Sequence, residues 1–193
     1  MSILSSDFER AVRRLKPHKH RQKLQRRHDR ELSFLGIAAE QPRTLLYDTT
    51  VYVDILQGRF PDFQEAMLRT ADAWHSTVAE SELASACALL DPGHRNTRNV
   101  VKQIIAILNR MPPHRMITPD REIWRDAGIL TGTIARLQGI PKSDRRRILN
   151  DALIFASARK HGHTVLTRNV GDFDFLQQLD PSGKIAFYRV QIT

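Results

Sequence analysis

The chain has only one cysteine, Cys87, so it can form no intrachain disulfide and cannot assemble a cysteine-based zinc site. Its first residues contain no apolar run of signal-peptide length, and no later run approaches membrane-spanning length. Secretion and membrane insertion are therefore not expected, and a reducing, cytoplasmic setting is. Acidic residues are the minority charge, 21 Asp and Glu against 30 Lys and Arg, giving a formal net charge of +9. That balance suits a polyanionic partner such as nucleic acid, or an acidic protein, and is equally compatible with a role in solubility alone. His18, His20 and His28 supply no complete ligand set for zinc and add to the basic character of the N-terminal region.

At 193 residues and 41% hydrophobic content the chain can bury one sizeable core. The positive charge is concentrated at one end: residues 1–43 hold 11 Lys and Arg against 5 Asp and Glu, and the remaining residues hold 19 against 16. The chain thus divides into a basic, partly helical extension (1–43) and a nearly balanced domain (44–193). In the extension, Ser6 and Glu9 have capping-box spacing. Phe8, Val12 and Leu15 share a helical face before Pro17 interrupts it. A second helix over 24–35 fits the pattern, as does a solvated arm.

From Thr44 onward, short apolar strands at 44–47, 73–75, 115–117, 164–166 and 184–189 alternate with helical stretches at 77–90, 95–110, 119–138 and 143–160. Pro119 suits a first helical turn and Gly162 a helix stop. Such alternation predicts an α/β fold with a mainly parallel sheet of about five strands covered by helices. In such sheets, sites gather beyond the carboxyl ends of the strands.

Four acids stand in apolar surroundings where an isolated carboxylate is costly. Asp48 follows the first strand, Glu82 lies in the helix after the second, and Asp172 follows Thr167-Arg168-Asn169-Val170-Gly171. Asp151 interrupts a helix on the face of Ile148, Phe155 and Ala158, which should point inward. Alternatives attach to each acid. Asp48 suits the cap of a helix near Thr49, Asp151 a buried ion pair with an arginine, and Glu80 and Asp174 compete with Glu82 and Asp172. Two carboxylates ~5 Å apart repel by roughly 3 kcal/mol at an effective dielectric of ~20, so a four-acid pocket would take up protons or a cation. Mg²⁺, an oxygen-loving ion that retains waters, fits such a set and leaves room for a substrate phosphate. Lys142, Arg145, Arg146 and Arg147 precede Asp151, where they could guide RNA phosphates or simply form a solvated helix start. The sequence Thr-Arg-Asn-Val also occurs at 97–100, in a helical context that reads as coincidence. Trp74 and Trp124 read as core or interface residues.

The ordered set Leu45-Leu46-Tyr47-Asp48-Thr49-Thr50-Val51, Ser76 with Glu82-Leu83, Asp151-Ala152-Leu153-Ile154 and Thr167-Arg168-Asn169-Val170-Gly171-Asp172-Phe173 resembles the PIN-domain nucleases, most closely the VapC-type toxins of type II toxin-antitoxin pairs. The resemblance covers about residues 44–193. It implies a PIN-like three-layer α/β/α sandwich and Mg²⁺- or Mn²⁺-dependent endoribonuclease activity. It also implies a homodimer neutralised by a small antitoxin. Carried over, Asp48, Glu82, Asp151 and Asp172 would be the catalytic, metal-holding acids, supported by Thr49 near the first acid and by Thr167 and Asn169. Thr50 departs from the Asn or Ser more usual there. A nucleic-acid-binding module without turnover and a PIN nuclease of RNA processing or DNA cleavage are the competing expectations. For the extension, substrate contact, antitoxin contact and an arginine that occupies the acid pocket all remain open.

Overall fold

The computed structural model describes residues 3–36, 43–61 and 71–190. Five strands form one sheet: β1 (Thr44–Tyr47), β2 (Asp72–Ser76), β3 (Met116–Ile117), β4 (Thr164–Thr167) and β5 (Lys184–Phe187). They lie in the order β3-β2-β1-β4-β5, every pair parallel, with Leu46 opposite both Trp74 and Val165. This is the α/β/α sandwich expected from the strand–helix alternation. The direction of winding reverses at β1, so a crevice opens between the carboxyl ends of β1 and β4.

Seven α-helices are present among the described residues: α1 (Ile3–Leu15), α2 (Thr49–Leu56), α3 (Thr77–Leu89), α4 (Thr97–Leu108), α5 (Arg121–Gln138), α6 (Arg145–His161) and α7 (Val170–Leu179). Their ends follow local chemistry. Ser76 accepts from the Val78 amide at the start of α3, and Asp120 caps α5 through the amides of Glu122 and Ile123. Pro119 thus stands before α5 rather than in its first turn. Gly162, at φ 75°, ends α6 in the left-handed region, as expected from its position.

The core is centred on α6, where Ile148, Ala152, Leu153, Ile154, Phe155, Ala156 and Ala158 are all at most 1% exposed. Each large apolar side chain buried there contributes about 1.5–3 kcal/mol. Helix α6 packs against α5 on one side and against β4 and α7 on others, so it is apolar nearly all round rather than on a single stripe. An acid placed inside this helix, as Asp151 is, has few ways to reach solvent.

The residues before β1 do not detach from this core. Ala11, Leu15, Leu32, Phe34 and Leu35 are buried, and α1 lies on α5. Arg14 of α1 pairs with Asp180 and with Asp126 of α5 (2.5 Å), and Arg159 also reaches Asp126 (2.6 Å). Helix α1 begins at Ile3, so Ser6 is within it rather than at its cap; the Ser6 side chain lies outside the described residues. The helix expected over 24–35 does not form. The carbonyls of Leu24 and Gln25 accept from Gln138 and Gln178, and the Arg27 amide is taken by Asp174. Ser33 and Leu35 bond Phe187 in a parallel bridge, Phe34 to Phe187. With its backbone groups committed to distant partners, the segment can form only the short turn Asp29–Glu31.

Candidate active site

The crevice between β1 and β4 collects the acids. Asp48 sits at the first position beyond β1, directly before α2, and is 2% exposed. Its carboxylate makes no capping bond to α2. Instead its Oδ2 accepts from the hydroxyls of Thr50 and Thr167, both at 2.7 Å. Burial raises the Asp48 carboxyl above its ordinary range; the two threonines pull it down and the charge of Glu82 pushes it up again.

Helix α3 brings Glu82 to the same space, where Thr49 donates to its Oε2 and Asn150 donates to its Oε1 at 2.7 Å. Glu80, two residues earlier, is exposed on the other side of the helix. Asp151 enters from α6, one residue beyond Asn150. Its carboxyl is held well above the usual carboxylate range, first by burial and then by the charges of Asp48, Asp172 and Glu82, with Arg147 opposing. Asp151 therefore feels the charge of all three other acids, and Asp48 that of Glu82.

Asp172 lies in the first turn of α7 rather than in a loop. Asn169 joins it to Asp151, since the Asn169 Nδ2 donates to Asp172 Oδ2 at 2.9 Å and to Asp151 Oδ2 at 3.1 Å. The Asn169 side-chain Oδ1 also accepts from the Asp172 amide at 3.2 Å, which caps the helix. Thr167 contributes twice, through Asp48 and by accepting the Asn169 amide at 2.9 Å. Asp174, the competing acid of this segment, is fully buried on the far side of α7. There it takes Arg27 through Nε (2.6 Å) and Gln178 (2.9 Å), and so leaves the site to Asp172.

The support expected of Thr49 goes to a different acid. Thr49 serves Glu82 rather than the first acid, and Thr50 is the residue that fixes Asp48. Asn150 joins the site although nothing near it in sequence marks it, since its partner lies 68 positions earlier. Of the basic run, Arg147 pairs with Asp172 and stands 3.9 Å from Asp151. Arg145 turns to the Ile140 carbonyl at 3.4 Å, while Lys142 and Arg146 are exposed. Among the described residues no arginine of the extension pairs with these four acids; Arg14 and Arg27 are engaged by Asp126, Asp180 and Asp174. Beside Glu82 a cleft of about 690 Å³ opens between α3, α5 and α6, lined among others by Asn150, Arg146, Arg147, Leu89 and Trp124. Trp74 instead stacks on His163 with ring centroids 4.6 Å apart.

Among the described residues, no three His, Cys, Asp or Glu side chains form a ready-made cage for a metal ion. The donors are nevertheless all oxygen, from carboxylates with hydroxyl and amide groups behind them, and two of the acids are held in the direction that disfavours bare charge. Such a set fits Mg²⁺ or Mn²⁺, which take one or two carboxylates and complete their shells with water.

Comparison with known proteins gives the fold independently. No family model and no curated protein sequence matches the chain. Among solved structures it resembles VapBC2 from Rickettsia felis bound to a DNA fragment from their promoter, at 17% identity and a TM-score of 0.53, covering 76% of this chain and 99% of the other. FitAcB from Neisseria gonorrhoeae aligns at 23% identity and a TM-score of 0.53 over 75% and 96%. DNA-bound VapBC from Salmonella typhimurium aligns at 17% identity and a TM-score of 0.54 over 75% and 97%. The fold is PIN-like.

Proposed function

We propose that this PIN-like fold carries a Mg²⁺- or Mn²⁺-dependent endoribonuclease, the toxin of a VapBC-type pair, acting in the cytoplasm as a homodimer and neutralised by a small antitoxin. The observation that carries the reading is the convergence of Asp48, Glu82, Asp151 and Asp172, from four separate elements, on the crevice where the sheet reverses its winding. The likeness to VapBC and FitAcB chains supports it at the level of fold.

The reaction is hydrolysis of an RNA phosphodiester: water attacks phosphorus in line and the opposite P–O bond breaks. A divalent cation, when bound, lowers the pKa of water and neutralises charge developing on the phosphate oxygens. Asp48 and Asp151 would hold it, being the two acids whose burial makes an uncompensated charge most costly. Thr50 and Thr167 keep the Asp48 carboxylate in one orientation, Asn169 does the same for Asp151 and Asp172, and Thr49 and Asn150 aim Glu82. Arg146 and Arg147 stand at the mouth, where an incoming phosphate would meet positive charge.

The test is cleavage of total RNA by the purified chain in Mg²⁺ or Mn²⁺, beside Asp48→Asn and Asp151→Asn variants. The wild type should cut, chelator should abolish cutting, and each variant should lose at least ~100-fold in rate. Equal cleavage by all three proteins would overturn the assignment; cleavage of DNA in preference to RNA would overturn the substrate.

A further inference from the structure

The segment from Pro17 to Gly36 crosses the end of α5, runs beside α7 and finishes on β5. Its first half is pinned chiefly through its backbone, and its second half also through the Arg27–Asp174 pair and the buried Leu32, Phe34 and Leu35. Arg136 donates to the carbonyls of Pro17 (2.8 Å) and His20 (3.0 Å), Gln138 to Leu24 (3.0 Å) and Gln178 to Gln25 (2.9 Å). Because the backbone is occupied in this way, the side chains of Lys19, Arg21 and Lys23 face solvent, and among the described residues none of them has an ion-pair partner. Residues 16–30 hold seven Lys and Arg and one acid, Asp29, which is already engaged by Arg26 and Arg189.

These three cations line a cleft of about 540 Å³ whose opposite wall is Gln178 of α7. Asp172 is six residues back along the same helix, ~9 Å in axial rise and on a different face from Gln178, which bonds Asp174. Arg27, one-third exposed on Asp174, and Arg147, on Asp172, flank that stretch. At its other border the segment is joined through Leu24 and Gln138 to the loop that leads into Lys142, Arg145 and Arg146. Positive charge thus leads from the strap past the end of α5 to Lys142, Arg145, Arg146 and Arg147, the last of which pairs with Asp172.

We propose that the strap is the outer part of the substrate track, with Lys19, Arg21 and Lys23 binding backbone phosphates of an RNA strand whose scissile bond lies at the acids. The proposal rests on the nuclease reading of the site. A nucleic-acid backbone fits this surface better than a protein does, since stable protein interfaces centre on apolar and aromatic side chains. The exposed large hydrophobics here are Phe8, Ile55, Leu89, Ile105 and Trp124, none of them on the strap. Phosphate contacts need only positioned cations.

The experiment measures binding of a fluorescein-labelled single-stranded RNA by anisotropy in the presence of chelator, so that nothing is cut, across a salt series. A strap variant carrying Lys19→Glu, Arg21→Glu and Lys23→Glu is compared with Arg95→Glu, Arg98→Glu, Lys102→Glu, an equal charge change at exposed positions in and just before α4. The strap variant should bind at least ~10-fold more weakly and lose about 2 from its salt slope, three phosphate contacts at ~0.7 each. The α4 variant should stay within ~3-fold of the wild type. Wild-type affinity in the strap variant, or equal losses in both, overturns the proposal. So does binding of polyglutamate as tight as that of RNA, which would assign the strap to an acidic protein. Cleavage is scored separately with Mg²⁺: RNA cut at the wild-type rate by the strap variant sinks the track and leaves the nuclease standing. Strap-dependent binding with no cleavage by any protein sinks the nuclease reading instead.

Discussion

Replacing Asp151 with asparagine should make the protein more stable and less able to respond to a divalent ion. The folded-state carboxyl is held well above its ordinary value by burial and by three neighbouring acids. The folded chain therefore grips this proton more tightly than the unfolded chain does. The group costs stability as pH rises past its unfolded value, ~3.9, and the full cost is reached above the folded one. Each carboxylate ~5 Å away adds roughly 3 kcal/mol of repulsion at an effective dielectric of ~20, and Arg147 at 3.9 Å takes part of it back. Removing the charge while keeping an oxygen that accepts from Asn169 should gain about 2 kcal/mol at pH 7 without divalent ions, raising Tm by ~4–8 °C for a chain of this length. Added Mg²⁺ should reverse the order: at 100 times its Kd it stabilises the wild type by ~2.7 kcal/mol and the variant by much less. Differential scanning calorimetry in chelator and in Mg²⁺ checks both halves. A variant that melts below the wild type in chelator, or equal Mg²⁺ shifts in the two proteins, would refute the electrostatic account of this pocket.

Three further outcomes are expected. His75, buried beside Tyr52 (2.7 Å), has its pKa lowered to about 4, mainly by burial and also by Arg115. The unfolded chain then binds the extra proton between pH 6.5 and 4. Stability present above 6.5 should fall by ~3 kcal/mol across that window, read as the difference in urea midpoints between wild type and His75→Gln. Arg27→Ala strands the fully buried Asp174 without its cation and should cost ~3 kcal/mol in urea unfolding, whereas Arg26→Ala, at an exposed pair, should cost under ~1 kcal/mol. Thr50→Val removes one of two hydroxyls on Asp48 and should lower kcat at least ~10-fold, while Thr50→Ser keeps the donor and restores most of it; equal loss in both would assign Thr50 to packing.

The strands and the four acids were legible because both are written in local pattern. An apolar run of four residues ending in an acid predicts a strand and a residue at its carboxyl end, and Asp48 stands there. Asp151 was readable for the opposite reason, being the one charge on an otherwise apolar helical face. What escaped depends on partners far away in sequence. Residues 24–35 have enough helical character to suggest a helix, yet side chains from positions 138, 174 and 178 claim their backbone groups. Asp172 and Asp174 are indistinguishable as neighbours in a short acidic stretch. Only a turn of helix, which sends one towards Asn169 and the other towards Arg27, separates them. Thr49 and Thr50 divide their acids for the same reason: consecutive helical positions point ~100° apart.

The bridge between Phe34 and Phe187 also sets an order of events in time. The two residues are 153 positions apart, and their pairing joins the end of the strap to β5. At ~5–20 residues per second, a ribosome adds the intervening chain in about 8–30 s. For most of that interval the strap has neither β5 nor α7 to lie on. This basic segment is thus made well before the elements that seat it.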